Sequence, residues 1–404
     1  MTRAEMHKEV SKLLYIEDYG MIDVTLASMV ANKLKLGDPV WLLLIGASSG
    51  GKSQLLRPIA LSDPDNTVRV DDLTENTLIS GMNTKETSLL LQLGGRDAKE
   101  HDGTIMVSDL TVLFSKSTES RNAILSQLRM VYDGEMTKYF GNQKPVTWRG
   151  HAGIIAGSTP SVYRHFAQVA DMGERFIYYR MKEPDYVKAN DFIINNAIPS
   201  RELDSKLSDI YSTYLKTVLR ACPTDKQLTT RTKKIIQDIA LAGTRFRTPV
   251  HVDDRLKVVD EIPTREAPYR VTKQLNNLAR ALHAMHHVDT GEDELPDDLV
   301  AILKWCAYSL ASDKRRSMYE SVVYMEHKTL HNVSAYTGLH PDICARDLAE
   351  LTAIGVIRLL ETQTRETRKW ASNDILLEVL ATEMATKREV EEEDDDEEEE
   401  DEVF

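Results

Sequence analysis

Cysteine is scarce in this 404-residue chain: Cys222, Cys306 and Cys344 are widely separated, with no C-x-x-C pair for a metal and no even set for a disulfide framework. They read as small apolar residues of a reducing compartment. Aromatic residues make up only 6%, and no apolar run approaches the roughly 20 residues that a membrane-spanning helix needs. The opening Met1-Thr2-Arg3-Ala4-Glu5 has no apolar signal-peptide core, so a cytoplasmic protein without membrane association is expected. A basic excess is missing too, the formal charge being −14. That figure misleads, because Glu389–Phe404 holds thirteen acidic residues and no basic one, which leaves residues 1–388 close to neutral. A near-neutral body with a detached acidic tail does not exclude nucleic-acid binding.

What is present is organised around residues 41–53, an apolar strand Trp41-Leu42-Leu43-Leu44-Ile45 running into Gly46-Ala47-Ser48-Ser49-Gly50-Gly51-Lys52-Ser53. The last eight residues fit G-x-x-x-x-G-K-[ST], the phosphate-binding P-loop. A buried strand fixes the loop, glycines admit backbone N–H groups to the phosphates, and the next helix aims its N-terminus at them. Lys52 is expected to reach the β/γ-phosphates of ATP, and the Ser53 hydroxyl to ligate Mg²⁺.

Before the loop, apolar spacing predicts helices over residues 4–14 and 21–36, a small cap over residues 1–38. After it, Thr67–Val70 reads as a strand, and Thr104-Ile105-Met106-Val107-Ser108-Asp109 as an apolar strand ending in an acid, the pattern called Walker B. Its carboxylate would hold Mg²⁺ or polarise water. Two registers stay open. Asp109 is the metal-side acid with no glutamate after it, or it is the catalytic acid with Ser108 in the metal-side position. A helix over residues 120–133 precedes two β-rich runs around Gly141-Asn142-Gln143, read as a hairpin. Lys138, Lys144, Tyr139 and Trp148 on it suit a single-stranded backbone and its bases; an ordinary surface hairpin is the other reading. A strand over residues 153–157 ends in Ser158-Thr159-Pro160, where Thr159 would lie beside the P-loop as a γ-phosphate sensor. Arg175 then opens another strand.

In this order of parts, residues 38–285 resemble an AAA+ ATPase, specifically the P-loop ATPases of phages, plasmids and integrative elements, distantly related to replicative helicases of the minichromosome-maintenance type. The resemblance rests on Trp41–Ser53, Asp71–Gly81, Ser108–Thr111, the hairpin ahead of Ser158-Thr159-Pro160, and Gly173–Phe176. It implies an α/β core over residues 39–200, a helical lid over residues 201–295, and a homo-oligomeric ring, usually hexameric, in a bacterial host's cytoplasm. In that ring Arg175 would be an arginine finger on the neighbour's γ-phosphate, and a lid-helix arginine, Arg270 or its rival Lys273, would reach the nucleotide. His283, His286 and His287 point only weakly to a metal, lacking an acid or cysteine at ligand spacing.

Residues 296–375 have another texture: helices over 299–310, 316–325, 333–339 and 341–351, then strands over 355–360 and 368–371. This resembles a winged helix-turn-helix, with Arg346 on the recognition helix and Arg365, Arg368 and Lys369 on the wing. Residues 376–404 form a helical linker and a tail too acidic to fold, closed by Val403-Phe404. The tail is either a docking segment for replication proteins or a solubilising appendage. Taken together, the expected protein is a DNA-stimulated ATPase, a ring-forming replicative helicase of a phage or mobile element. The alternatives are a helicase loader and an ATP-switched DNA-binding regulator or adaptor.

Overall fold

A computed structural model describes residues 1–82, 84–95, 100–141, 143–165, 175–221, 227–250, 252–253, 258–259, 266–324, 329–360 and 369–372. Calls on Arg365, Arg368, the Gly173–Glu174 pair and the acidic tail lie outside them. The chain is α/β, and divides into two compact units: Met1–Lys233 with Tyr269–Pro296, and Lys234–Pro268 with Asp297–Phe404.

Within unit 1 the elements are α1 (Arg3–Ser11), α2 (Gly20–Lys33), β1 (Trp41–Ile45), α3 (Lys52–Ser62), β2 (Thr67–Val70), α4 (Thr84–Thr87), α5 (Leu89–Gln92), β3 (Gly103–Val107), α6 (Thr111–Ser115) and α7 (Thr118–Tyr132). A hairpin of β4 (Glu135–Phe140) and β5 (Gln143–Arg149) follows, then β6 (Ala152–Ser158), β7 (Phe176–Arg180), α8 (Tyr186–Asn195) and α9 (Ser200–Ala221). The helix α10 (Thr230–Arg247) crosses into unit 2, and α11 (Tyr269–Thr290) returns to unit 1.

Five parallel strands in the order β2-β3-β6-β1-β7 form the central sheet. Strands β1, β3 and β6 are buried at every residue, which is why they read as continuous apolar runs rather than alternating ones. Trp41 pairs in register with Ile154 and Phe176, and its ring meets Tyr132 of α7 edge-on at 5.2 Å. Helix α7 therefore covers that face. On the other face stand Gly153 and Gly157. A Cβ on Gly153 would fall 1.8 Å from Asn32 Nδ2 of α2, and one on Gly157 would fall 3.4 Å from Leu56 of α3.

Helix α2, expected as part of a small cap, is buried from Ile22 through Asn32 and packs on β1, β3, β6 and α11. Its polar groups are satisfied internally, as burial requires. Thr25 and Ser28 donate to Met21 O and Val24 O one turn earlier. Asn32 closes both backbone groups of Val40, accepting from its N–H at 2.8 Å and donating to its carbonyl at 3.0 Å, so α2 fixes where β1 starts. Helices α9 and α11, within the span expected to form the lid, lie in unit 1, packed on α3 and α2 respectively.

The hairpin has the expected antiparallel register, Met136 opposite Trp148. Trp148 is not a surface aromatic, however. It is 0% exposed and its Nε1 donates to His101 O at 3.0 Å, so the residue anchors the hairpin to the body and cannot stack on a base. Lys138 is likewise engaged, donating to Asn76 Oδ1 at 2.8 Å and to the carbonyls of Ile79 and Glu75. Tyr139, 78% exposed, and Lys144 remain at the surface near the turn.

Unit 2 contains β8 (Val252–Asp253), β9 (Val258–Val259), α12 (Asp297–Tyr308), α13 (Asp313–Tyr324), α14 (Leu330–Thr337), α15 (Pro341–Ala353), β10 (Ile357–Leu359) and β11 (Trp370–Ser372). Gly338, at φ 66°, ends α14, and His340-Pro341 starts α15 with Pro in the first turn, a stop and start the sequence spells out. The strands pair antiparallel, Ile357 with Ser372. Arg346 on α15 is turned to its neighbour Asp347, which also pairs with Lys314 at 2.5 Å. Lys369 is exposed beside β11 and bridges Thr329.

Trp148→Ala is expected to lower stability by about 3–5 kcal/mol, as large core truncations do, measured as a shift of the urea midpoint. A loss below about 0.5 kcal/mol, the range of surface changes, would contradict its anchoring role.

Candidate functional site

All strands of a parallel sheet end on the same side, and backbone donors of the following loops gather there. The loop after β1 leaves Ile45 with Gly46 N–H bonded to Ser158 O at 3.1 Å. Ser49 at φ 64° and Gly51 at φ 81° then adopt the left-handed conformation before α3 begins. Such alternation turns successive N–H groups inward, a concavity that suits an anion at the positive end of a helix. A Cβ at Gly50 would lie a tight 3.0 Å from Ala47 O, which favours glycine there.

Lys52 is 8% exposed and folds back over this loop, donating to Gly46 O at 2.8 Å and Ala47 O at 2.6 Å. Burial lowers its pKa from the ordinary lysine value, and the charge of Asp109 pulls it back up. An ammonium held this way, partly desolvated and beside the loop's N–H groups, attracts an anion more strongly than a solvated one. Ser53 is exposed in the first turn of α3.

Three neighbouring strand ends complete this side. From the end of β3, Asp109 accepts the Thr111 N–H at 2.8 Å, and Ser108 Oγ donates to Asp71, just past β2, at 2.6 Å. From the end of β6, Thr159 N–H donates to Thr111 Oγ1 at 3.1 Å, and Thr159 Oγ1 lies 2.7 Å from Ser161 Oγ. Thr111 also lies 3.2 Å from Ser158 Oγ. The predicted set Gly46, Ala47, Ser48, Ser49, Gly50, Gly51, Lys52, Ser53, Asp109 and Thr159 thus shares one end of one sheet. No protein-family model matches the chain, and no curated protein does. Geometry alone carries the reading of this site.

Arg175 stands at the opposite end. It precedes Phe176, which pairs with Trp41 at the start of β1, whereas the loop follows Ile45 at its finish. Five residues at about 3.3 Å each separate the two ends by about 16 Å. Its guanidinium lies over the Tyr132 ring at 5.3 Å and 3.6 Å from Asp133. Burial and then the Arg270 cation lower its pKa from the usual arginine value. Burial pushes the Tyr132 hydroxyl up to about 12, with Asp38 raising it further and Arg270 and Arg175 opposing.

Arg270, expected to reach the nucleotide, sits in the first turn of α11 within electrostatic range of Arg175 and Tyr132, at the amino end of the sheet. Its rival Lys273 is there too, 3.0 Å from Asp38. The histidines pair with acids: His287 with Asp293 at 3.2 Å and His286 with Glu292 at 3.4 Å. Among the described residues no group suits a metal ion held by three or more histidine, cysteine or acidic side chains.

Sequence reading missed Thr111 and Asp71 as members of the site. A threonine two residues after an acid is too common a pattern to stand out, and Asp71 joins only because β2 and β3 are neighbours. Thr111→Val, which keeps the shape and removes the hydroxyl joining Asp109's turn to Thr159, is expected to cost about 1–3 kcal/mol in urea unfolding. Thr111→Ser should recover most of that loss, and equal stabilities for all three proteins would contradict the bridge.

Proposed function

We propose that this chain is an ATPase of the AAA+ type that works as a ring on DNA, most simply a replicative helicase of a phage or mobile element. One observation carries the reading: the Gly46–Ser53 loop and the arginine pair Arg175 and Arg270 occupy opposite ends of the same sheet. Neither end is sufficient alone, but a second copy placed head to tail would bring its amino end, with both arginines, to the first copy's loop. Head-to-tail contacts of this kind close into rings when the rotation permits.

The loop conformation and donor set fit a nucleoside triphosphate with Mg²⁺. Backbone N–H groups of Gly46–Ser53 and Lys52 would hold the phosphates, Ser53 and a strand-end carboxylate the metal side, and Thr159 the terminal phosphate. The metal would supply charge neutralisation on the phosphates. The partner copy's arginines would place positive charge where negative charge develops during transfer, worth about 10³ to 10⁵ in rate for a finger supplied in trans.

For DNA, the exposed Tyr139 and Lys144 of the hairpin are the remaining candidates, with Lys369 beside β11 for phosphate contact by a winged-helix unit. An ATP-switched adaptor is the second reading. It is favoured by the engagement of Lys138, Trp148 and Arg346 with protein groups, which thins the surface available to nucleic acid.

Lys52→Ala and Arg175→Ala are each expected to lose ATP turnover, and mixtures of the two should recover part of it, because mixed interfaces pair an intact loop with an intact arginine. No recovery at any ratio would argue against a shared site.

A further inference from the structure

The end of β3 carries a serine where a metal-side acid would be needed. Residues paired in register on a parallel sheet direct their side chains to the same face. Val70 pairs with Val107, and Val107 with Ala156, so the next residues on each strand, Asp71, Ser108 and Gly157, share the other face. That face belongs to the P-loop helix: a Cβ on Gly157 would lie 3.6 Å from Lys52 Cδ and 3.4 Å from Leu56 Cδ1. Ser108, and not Asp109, thus holds the strand-end position on the lysine's face. A neutral hydroxyl cannot balance a dication.

A carboxylate does reach this position, from the neighbouring strand. Ser108 Oγ donates to Asp71 Oδ1 at 2.6 Å, the short geometry of a hydrogen bond to a charged acceptor. Asp72, the adjacent acid, is turned to Lys116 at 3.0 Å, so only one of the two acids is directed to β3. The other cation near Asp71 is Arg69, at 3.8 Å with its side chain 42% exposed, a solvated pairing that a dication would displace. Asp109, one residue on, is held by the Thr111 N–H.

Resting on the function proposed above, we propose that Asp71, carried in from β2 and held by Ser108, is the metal-side carboxylate of this site, and that Asp109 orients the attacking water. This removes the open register of the β3 end: the acid pair is split between two strands instead of being consecutive. Two protein donors are enough for Mg²⁺, which keeps most of its ligands as water and phosphate oxygens. In the transfer step the water's proton passes to the Asp109 carboxylate as its oxygen bonds to the terminal phosphorus. The bond from that phosphorus to the bridging oxygen breaks, and its electron pair leaves on the diphosphate.

The test is Mn²⁺ binding by the full chain with a non-hydrolysable ATP analogue, read as the loss of the free-ion electron paramagnetic resonance signal. Binding of a fluorescent ATP analogue in EDTA is measured beside it. Asp71→Asn is expected to weaken Mn²⁺ by about 10- to 100-fold, the range for removing a metal site's supporting carboxylate, with binding in EDTA unchanged. Asp71→Glu should recover part of the affinity. Asp109→Asn should leave Mn²⁺ affinity as in the wild type and abolish turnover. Weakening of Mn²⁺ by Asp109→Asn with Asp71→Asn unaffected would overturn the assignment, as would no change in either variant. A wild-type chain that binds no nucleotide in EDTA or with Mn²⁺ would remove the ATPase reading itself, an outcome distinct from both.

Discussion

A parallel sheet has two unlike ends, and that asymmetry governs this protein. The carboxyl ends of β1, β3 and β6 deliver backbone donors, Lys52, Asp109 and Thr159 to one place. The amino ends of β1 and β7 deliver Asp38, Arg175 and, through α11, Arg270 to another. The separation follows from strand length and direction, and no side-chain rearrangement within one copy spans it. The buried helix α2 fixes Val40 through Asn32, so the start of β1, and with it the placing of both sheet ends, is set by a buried helix.

The strand-to-loop-to-helix signal around Gly46–Ser53 was legible because it is local: apolar residues, glycines and Lys-Ser are adjacent in the chain. The hairpin and the antiparallel pair after α15 were legible for the same reason. Trp148 was misread because a tryptophan on a strand looks alike whether it faces water or the body, and only the approach of His101 decides. Lys138 looked like a nucleic-acid contact until the carbonyls of Glu75 and Ile79 came within its reach. Arg270 was assigned to the nucleotide on resemblance, and the packing of α11 against α2 carries its first turn to the end of the sheet away from its own copy's loop. Each of these is a long-range placement that periodicity cannot encode.

The loop Asp71–Gly81 ties these results together. Asp71 meets the end of β3 through Ser108, and Glu75, Asn76 and Ile79 receive Lys138 of the hairpin. Phe140 lies where a Cβ on Gly81 would stand, 2.6 Å from its Cδ1. One short segment therefore touches both the end of β3 and strand β4 of the hairpin.

The central claim is that the catalytic site is divided between copies. It is tested most directly by ATP turnover per subunit across a dilution series of the wild-type chain, followed together with the sedimentation coefficient. The account predicts turnover that falls steeply as the assembly dissociates, approaching zero for the monomer. Turnover per subunit that stays constant down to concentrations where only monomer sediments would contradict it.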